Sequence, residues 1–145
     1  CEGIWDASAN NGDRIFWGLT GSFSGNYGAP DGFCFDLLCK DDTPLYGMKD
    51  EMLQARVKDF LMSVKLQAER SRGHNVMLTM GSDFEYSAAN HNFRSLDLLI
   101  DTINNNPGMK RVVSALFPEF DGVHAFYSTP DIYTEYKYNE FTTLR

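Results

Sequence analysis

Basic residues are few and scattered in this chain, 13 lysines and arginines against 20 aspartates and glutamates, for a net charge of −7. Lys65, Arg70, Arg72, Lys110 and Arg111 form no extended patch. Phosphate binding needs clustered Lys and Arg, so nucleic acid is not an expected partner. No apolar run approaches the ~20 residues that a helix needs to cross a bilayer, and no membrane partner is expected. Cysteine is sparse (Cys1, Cys34 and Cys39), with no His or further Cys nearby at zinc-ligand spacing. A Gly-x-Ser-x-Gly elbow is missing, so neither Ser22 nor Ser82 has the local frame of a serine nucleophile. Asp41-Asp42 and Asp50-Glu51 lack the ligand spacing of a calcium loop. The chain opens at Cys1 without an initiator Met and reaches Arg145 without a boundary signal. The expectation is one internal piece, residues 1–145, of a longer polypeptide.

What is present suits one modest domain with a real core. Ile4-Trp5 and Ile15-Phe16-Trp17-Gly18-Leu19 read as short extended segments, with Asn11-Gly12 as a turn signal between them. The Gly-, Ser- and Asn-rich stretch from Gly21 to Gly32 predicts an irregular loop, and loops of that length are more often functional than decorative. Leu53, Val57, Phe60, Leu61, Val64 and Ala68 recur at three- and four-residue steps and predict a helix within 48–72. Asp50 and Glu51 favour its start, Arg70 and Arg72 its end, and Gly73 stops it. A second helix is predicted over about 90–104, with Phe93, Leu96, Leu99, Ile100 and Ile103 as its buried stripe and Asn104-Asn105-Asn106-Pro107-Gly108 as its terminator. Val123 to Ser128 predicts a strand, and Thr129-Pro130 the start of a further helix.

Between the first two helices, Asn75 to Met80 is short and apolar, bounded by Gly73 and Gly81. That pattern suits a strand buried on both faces. Met80-Gly81-Ser82-Asp83-Phe84-Glu85-Tyr86 follows it directly. The C-terminal end of such a strand is where α/β folds place reactive groups, which makes Asp83 a candidate catalytic acid. Asp after glycine is also a common turn former or N-cap, and spacing alone leaves both readings open. Cys34 and Cys39 flank Phe35-Asp36-Leu37-Leu38. They either close a short disulfide loop or remain two reduced, buried thiols.

Met80-Gly81-Ser82-Asp83-Phe84, with Tyr86, Ala89-Asn90, Phe93, Leu96-Asp97 and Leu99-Ile100, closely resembles a segment of the lysosomal-type α-mannosidases, family 38 of the glycoside hydrolases. The resemblance covers most of Tyr27 to Ser128. It implies that Asp83 is the general acid/base of a retaining hydrolase that removes terminal α-linked mannose from glycans. Asn26-Tyr27-Gly28-Ala29-Pro30 is similar to a family word whose Tyr lies in the active site, implying a substrate-binding role for Tyr27. It also implies a bridge between Cys34 and Cys39. The fold implied is α/β, an incomplete part of a seven-stranded (β/α) barrel, with 111–120 as an insertion. Family members use Zn2+. Their nucleophilic Asp and zinc ligands match nothing in this chain, which on this mapping holds no metal ligand and depends on the rest of the parent polypeptide. Ser82 is the lysosomal-type residue, where Golgi-type relatives carry a second Asp; Glu85 departs from the usual Gln. The partners implied are mannose-containing oligosaccharides, and the compartment a lysosome, another acidic or secretory compartment, or the exterior. The alternative is a non-catalytic carbohydrate-binding or regulatory module on the same scaffold.

Overall fold

A computed structural model describes residues 2–6, 8, 10, 12–20, 27–39 and 43–143. Cys1, Asn11, residues 21–26 of the stretch expected as a loop, and residues 40–42 lie outside the described residues. The order is β1 (Glu2–Asp6), β2 (Arg14–Gly18), α1 (Asp50–Ala68), α2 (Ala89–Asn105), α3 (Met109–Leu116) and α4 (Pro130–Thr143). β1 and β2 pair antiparallel, with Glu2 opposite Gly18 and Trp5 opposite Ile15. Gly12, in the connection between them, sits at φ +68°, a left-handed conformation that glycine adopts without a Cβ penalty.

α1 carries Asp50 and Glu51 in its first turn and Lys65 in its last, the arrangement that complements its dipole. It ends at Ala68, ahead of Arg70 and Arg72, which were expected to support its C-terminus. The reason is local: the N–H groups of Arg70 and Ser71 turn back to the Gln67 carbonyl, and Gly73 takes φ +77°. Leu53, Val57, Phe60 and Leu61 are buried along one face and pack toward α2 and α3. α2 supplies Leu96, Leu99 and Ile103 to the same core. Phe93 and Ile100, expected in that stripe, are exposed and half-buried respectively, and line an open cleft together with Leu96, Leu99 and Ile103. α2 stops where Asn106 turns extended ahead of Pro107, as the proline ring requires of the residue before it.

The segment 109–120, which includes the insertion expected at 111–120, contributes three residues to the core. α3 packs on α1, burying Met109 and Val113, and Phe117 follows them in. Phe33, Phe35 and Leu45 close the core from the loop before α1. The backbone N–H of Leu45 reaches the hydroxyl of Ser95 at 3.2 Å, which explains a serine at a fully buried helical position.

The two segments expected as strands, 75–80 and 123–128, form no ladder among the described residues, where the sheet has two strands, β1 and β2. A strand's backbone groups need a neighbouring strand. Here side chains act in its place. The Asn104 amide donates to the Ala125 carbonyl at 2.8 Å, and its oxygen accepts the Ala125 N–H at 2.9 Å. Glu140, on α4, accepts from the His74 N–H and from the Asn75 amide.

Leu61 has no exposed surface, whereas Met62 beside it is largely exposed. Leu61→Ala should therefore cost about 2–5 kcal/mol of unfolding free energy, and Met62→Ala within about 0.5 kcal/mol. Denaturant titration of the two variants checks this; equal losses would refute the placement of α1.

Candidate active site

The loop after Met80 turns continuously from Asp83 to Ala88, and two of its residues without a glycine's freedom sit in the left-handed region, Phe84 at φ +63° and Tyr86 at φ +66°. That conformation costs an L-residue about 1–2 kcal/mol, so neighbouring groups must hold it. Inside the loop, the Glu85 N–H donates to the Ser82 carbonyl at 3.3 Å, and the Ser87 hydroxyl to the Phe84 carbonyl at 3.0 Å. The Tyr86 phenol donates back to the Met80 carbonyl. From outside, Asp36 Oδ2 accepts the Tyr86 N–H at 2.7 Å.

Asp83 is exposed at the start of this turn, and the Tyr27 hydroxyl donates to its Oδ1 at 2.7 Å. The two site residues singled out from sequence, 56 positions apart, are thus brought together. That hydrogen bond to a carboxylate is the main reason the Tyr27 phenol is held above its ordinary range, because ionising it would set two negative charges side by side. Tyr27 and Ser82 are among the residues lining a cleft of about 740 Å³, whose walls include the segments 75–80 and 123–128; Asp83 itself is not part of the lining. Aromatic rings line it as well. Tyr86 and Phe93 are 5.7 Å apart between ring centres, and Phe93 and Tyr127 5.9 Å. The Tyr127 hydroxyl is fixed by Asp97 at 2.7 Å. Burial first, and Asp97 second, push this phenol well above the ordinary range, so it remains a donor at any physiological pH. Apolar ring faces beside carboxylate and hydroxyl groups suit a polyhydroxylated ligand.

Cys34 and Cys39 are bridged, with their Cα atoms 6.0 Å apart. The loop they close presents Asp36 inward: its side chain is buried, Oδ1 accepts the Leu38 N–H at 3.1 Å, and Oδ2 reaches Tyr86. The Leu38 and Tyr86 N–H groups, in that order, hold the Asp36 carboxyl below the usual carboxylate range. Asp36 had no role assigned from sequence. Its signal was a single carboxylate inside an otherwise apolar run, Phe35 to Leu38. Glu85 was read only as a departure from a family word. Its Oε1 lies 3.3 Å from the bridged Cys34 sulfur, which has no proton to give.

Among the described residues, Cys34, Cys39 and Glu85 are the three side chains whose donor atoms gather as a metal would require. They do not fit Zn2+, since zinc binds thiolates and both sulfurs are consumed in the bridge. His91 does not enter the cleft lining; its Nδ1 pairs with the Tyr46 hydroxyl at 2.9 Å. His74 lies on the cleft wall against the Phe120 ring, 4.8 Å between centres.

The family described as "Glycosyl hydrolases family 38 N-terminal domain" matches residues 2–140. The lysosomal alpha-mannosidase of Cavia porcellus is 34% identical over 134 residues, covering 91% of this chain and 12% of that protein. The alpha-mannosidase of Canavalia ensiformis is 34% identical over 144 residues, covering 94% and 12%. The lysosomal alpha-mannosidase of Homo sapiens is 32% identical over 134 residues, covering 91% and 12%. The chain thus spans about an eighth of the length of these relatives, 12% in each case.

Burial, and next the neighbouring Asp36 carboxylate, raise the Glu85 carboxyl above its ordinary range. A raised folded-state value means the fold favours the neutral acid; the resulting stability is complete below the unfolded value of about 4.3 and is lost as pH rises through the folded one. Glu85→Gln, neutral throughout, should therefore raise Tm at about pH 7 and lose that advantage near pH 4. Thermal melts at both values check this, and a pH-independent difference would contradict it.

Proposed function

Because this chain belongs to the N-terminal domain family of the family 38 glycosyl hydrolases, we propose that it is the part of a retaining α-mannosidase that carries the general acid/base, Asp83. The observation that supports this most directly is the placement of Asp83: an exposed carboxylate on a held turn, bonded to Tyr27, which with the adjacent Ser82 lines an aromatic-walled cleft. The substrates are glycans with terminal α-linked mannose. In the first step Asp83 gives its proton to the departing glycosidic oxygen; in the second it takes a proton from the water that releases mannose. Tyr27 fixes one oxygen of the carboxylate and turns its own ring toward the sugar.

The fold of the whole domain, on this reading, is a seven-stranded (β/α) barrel. The support lies in the order of elements, since each segment expected as a strand, 75–80 and 123–128, is followed by a loop or cap and then a helix. The attacking carboxylate and the Zn2+ ligands belong to the rest of the parent polypeptide. The compartment is a lysosomal or secretory one, which accords with the bridged Cys34 and Cys39 and with the printed names of two of the relatives above.

Asp83→Asn in the parent enzyme should lower kcat on mannosides with poor leaving groups by about 10²–10⁴-fold. The glycosylation step on an activated aryl mannoside should fall far less, because a good leaving group needs little protonation. Steady-state and burst kinetics on the two substrates make the comparison. Undiminished activity on both would remove Asp83 from the reaction.

A further inference from the structure

Two hydrogen bonds from the segment 27–39 bear on the position of the acid loop. At one end the Tyr27 hydroxyl holds Asp83; at the other the Asp36 carboxylate holds the backbone of Tyr86. Between those two points lie Phe84 and Tyr86, both left-handed, with Phe84 pointing almost entirely into solvent. Phe84 therefore gains little from packing that would hold it in its φ +63° conformation. The Tyr86 amide, by contrast, meets a buried charge.

Asp36 is itself held. Phe33 and Phe35, just before it, are core residues with 2% and 6% of their surface exposed. The Phe33 N–H closes a turn onto the Pro30 carbonyl at 2.9 Å, and the Cys39 N–H one onto the Asp36 carbonyl at 3.0 Å. The disulfide closes the same turn covalently. Asn92, buried on α2, donates a further hydrogen bond to the carboxylate. A continuous series of contacts thus runs from the hydrophobic core through Phe35 and Asp36 to the Tyr86 amide and so to Asp83.

We propose that Asp36 is a positioning residue for the acid/base: with the Cys34–Cys39 loop as its base, it clamps the left-handed turn that aims Asp83 at the leaving oxygen. This rests on the reading of Asp83 given above and extends it to a residue that touches no substrate. A general acid must stand within about 2.6–3.2 Å of the atom it protonates, and a misplacement of about 1 Å can cost on the order of 10²-fold in rate. Asn is nearly isosteric with Asp but keeps a single acceptor oxygen. It can receive Leu38 or Tyr86 but not both, and its amino group then faces the other N–H.

The test uses the parent enzyme and a series of aryl α-mannosides of graded phenol acidity, with kcat/KM read against leaving-group pKa. Proton donation flattens that dependence, and an acid that is lost or misplaced steepens it. Asp83→Asn is the reference for a lost acid. Asp36→Asn should steepen the slope toward that reference, with a loss of about 10–100-fold on the least acidic phenols and less than about 3-fold on the most acidic. Cys34→Ser combined with Cys39→Ser, which opens the loop but leaves the carboxylate, should steepen it by a smaller amount. It also decides the matter if Asp36→Asn does not fold.

A slope unchanged from the parent in both variants, with any loss equal across the series, would overturn the proposal and leave Asp36 an ordinary structural anchor. Loss of folded protein in both would overturn it too, since the carboxylate would then hold the domain and not the turn alone. Failure of the underlying reading is seen separately: Asp83→Asn would itself leave the slope unaltered.

Discussion

One buried carboxylate is shared by two backbone N–H groups from loops that are distant in sequence. Asp36 takes Leu38 from its own turn and Tyr86 from a turn 50 residues on. A bare carboxylate inside a protein is strongly unfavourable, so these donors are required for Asp36 to be there at all. Once they are present, the relation holds in the other direction as well. The Tyr86 amide has a partner only while the loop keeps its left-handed turn, and the turn keeps its shape only while that partner is there. Asp83 inherits its position from this mutual requirement.

A second buried charge ties the ends of the chain together in the same manner. Glu2 on β1 accepts from the Tyr133 phenol and the Arg72 N–H, and lies 3.1 Å from Lys137, which has 1% of its side chain exposed. Burial pushes the Glu2 carboxyl up, yet Tyr133, Arg72 and Lys137 together bring it below the ordinary range. Lys137 in turn donates to the Arg72 carbonyl. Hairpin, post-helical turn and α4 therefore meet at one acidic residue. Where the segments 75–80 and 123–128 run without a strand beside them, Asn104 and Glu140 satisfy backbone and amide groups with their own polar atoms. Polar side chains thus tie these segments to α2 and α4, while the core residues Leu61, Leu96, Leu99 and Ile103 form part of the cleft wall.

Much of this was legible in the sequence, for identifiable reasons. α1 followed from the three- and four-residue spacing of Leu53, Val57, Phe60 and Leu61, because a helix repeats its buried face on that period. α2 ended where Pro107 demanded an extended Asn106. Such features depend on neighbours a few residues away. Phe93 and Ile100 carried the correct period yet stay exposed and half-buried on a cleft that Leu96, Leu99 and Ile103 also line, since periodicity marks a face and does not say what covers it. The strands expected at 75–80 and 123–128 illustrate the same boundary: local pattern predicted extended backbone, and ladder pairing depends on which other strand lies alongside.

The resemblance of the Met80–Tyr86 and Asn26–Pro30 words to family 38 identified Asp83 and Tyr27 as residues to watch. Nothing in either word stated that one hydroxyl would rest on one carboxylate oxygen. Asp36 shows the limit most plainly. Its residue type and its apolar neighbours were visible, but its role depends on a backbone amide 50 residues away, at a φ angle that no composition or period reports. The sequence by itself determined α1 and α2, the start of α4, the paired cysteines' spacing and the carboxylate on the turn, because each depends on short-range sterics and burial. Tertiary structure alone decided which groups meet, because a hydrogen bond forms only when its two atoms come within about 3 Å, and that distance is set by the packing of the whole chain.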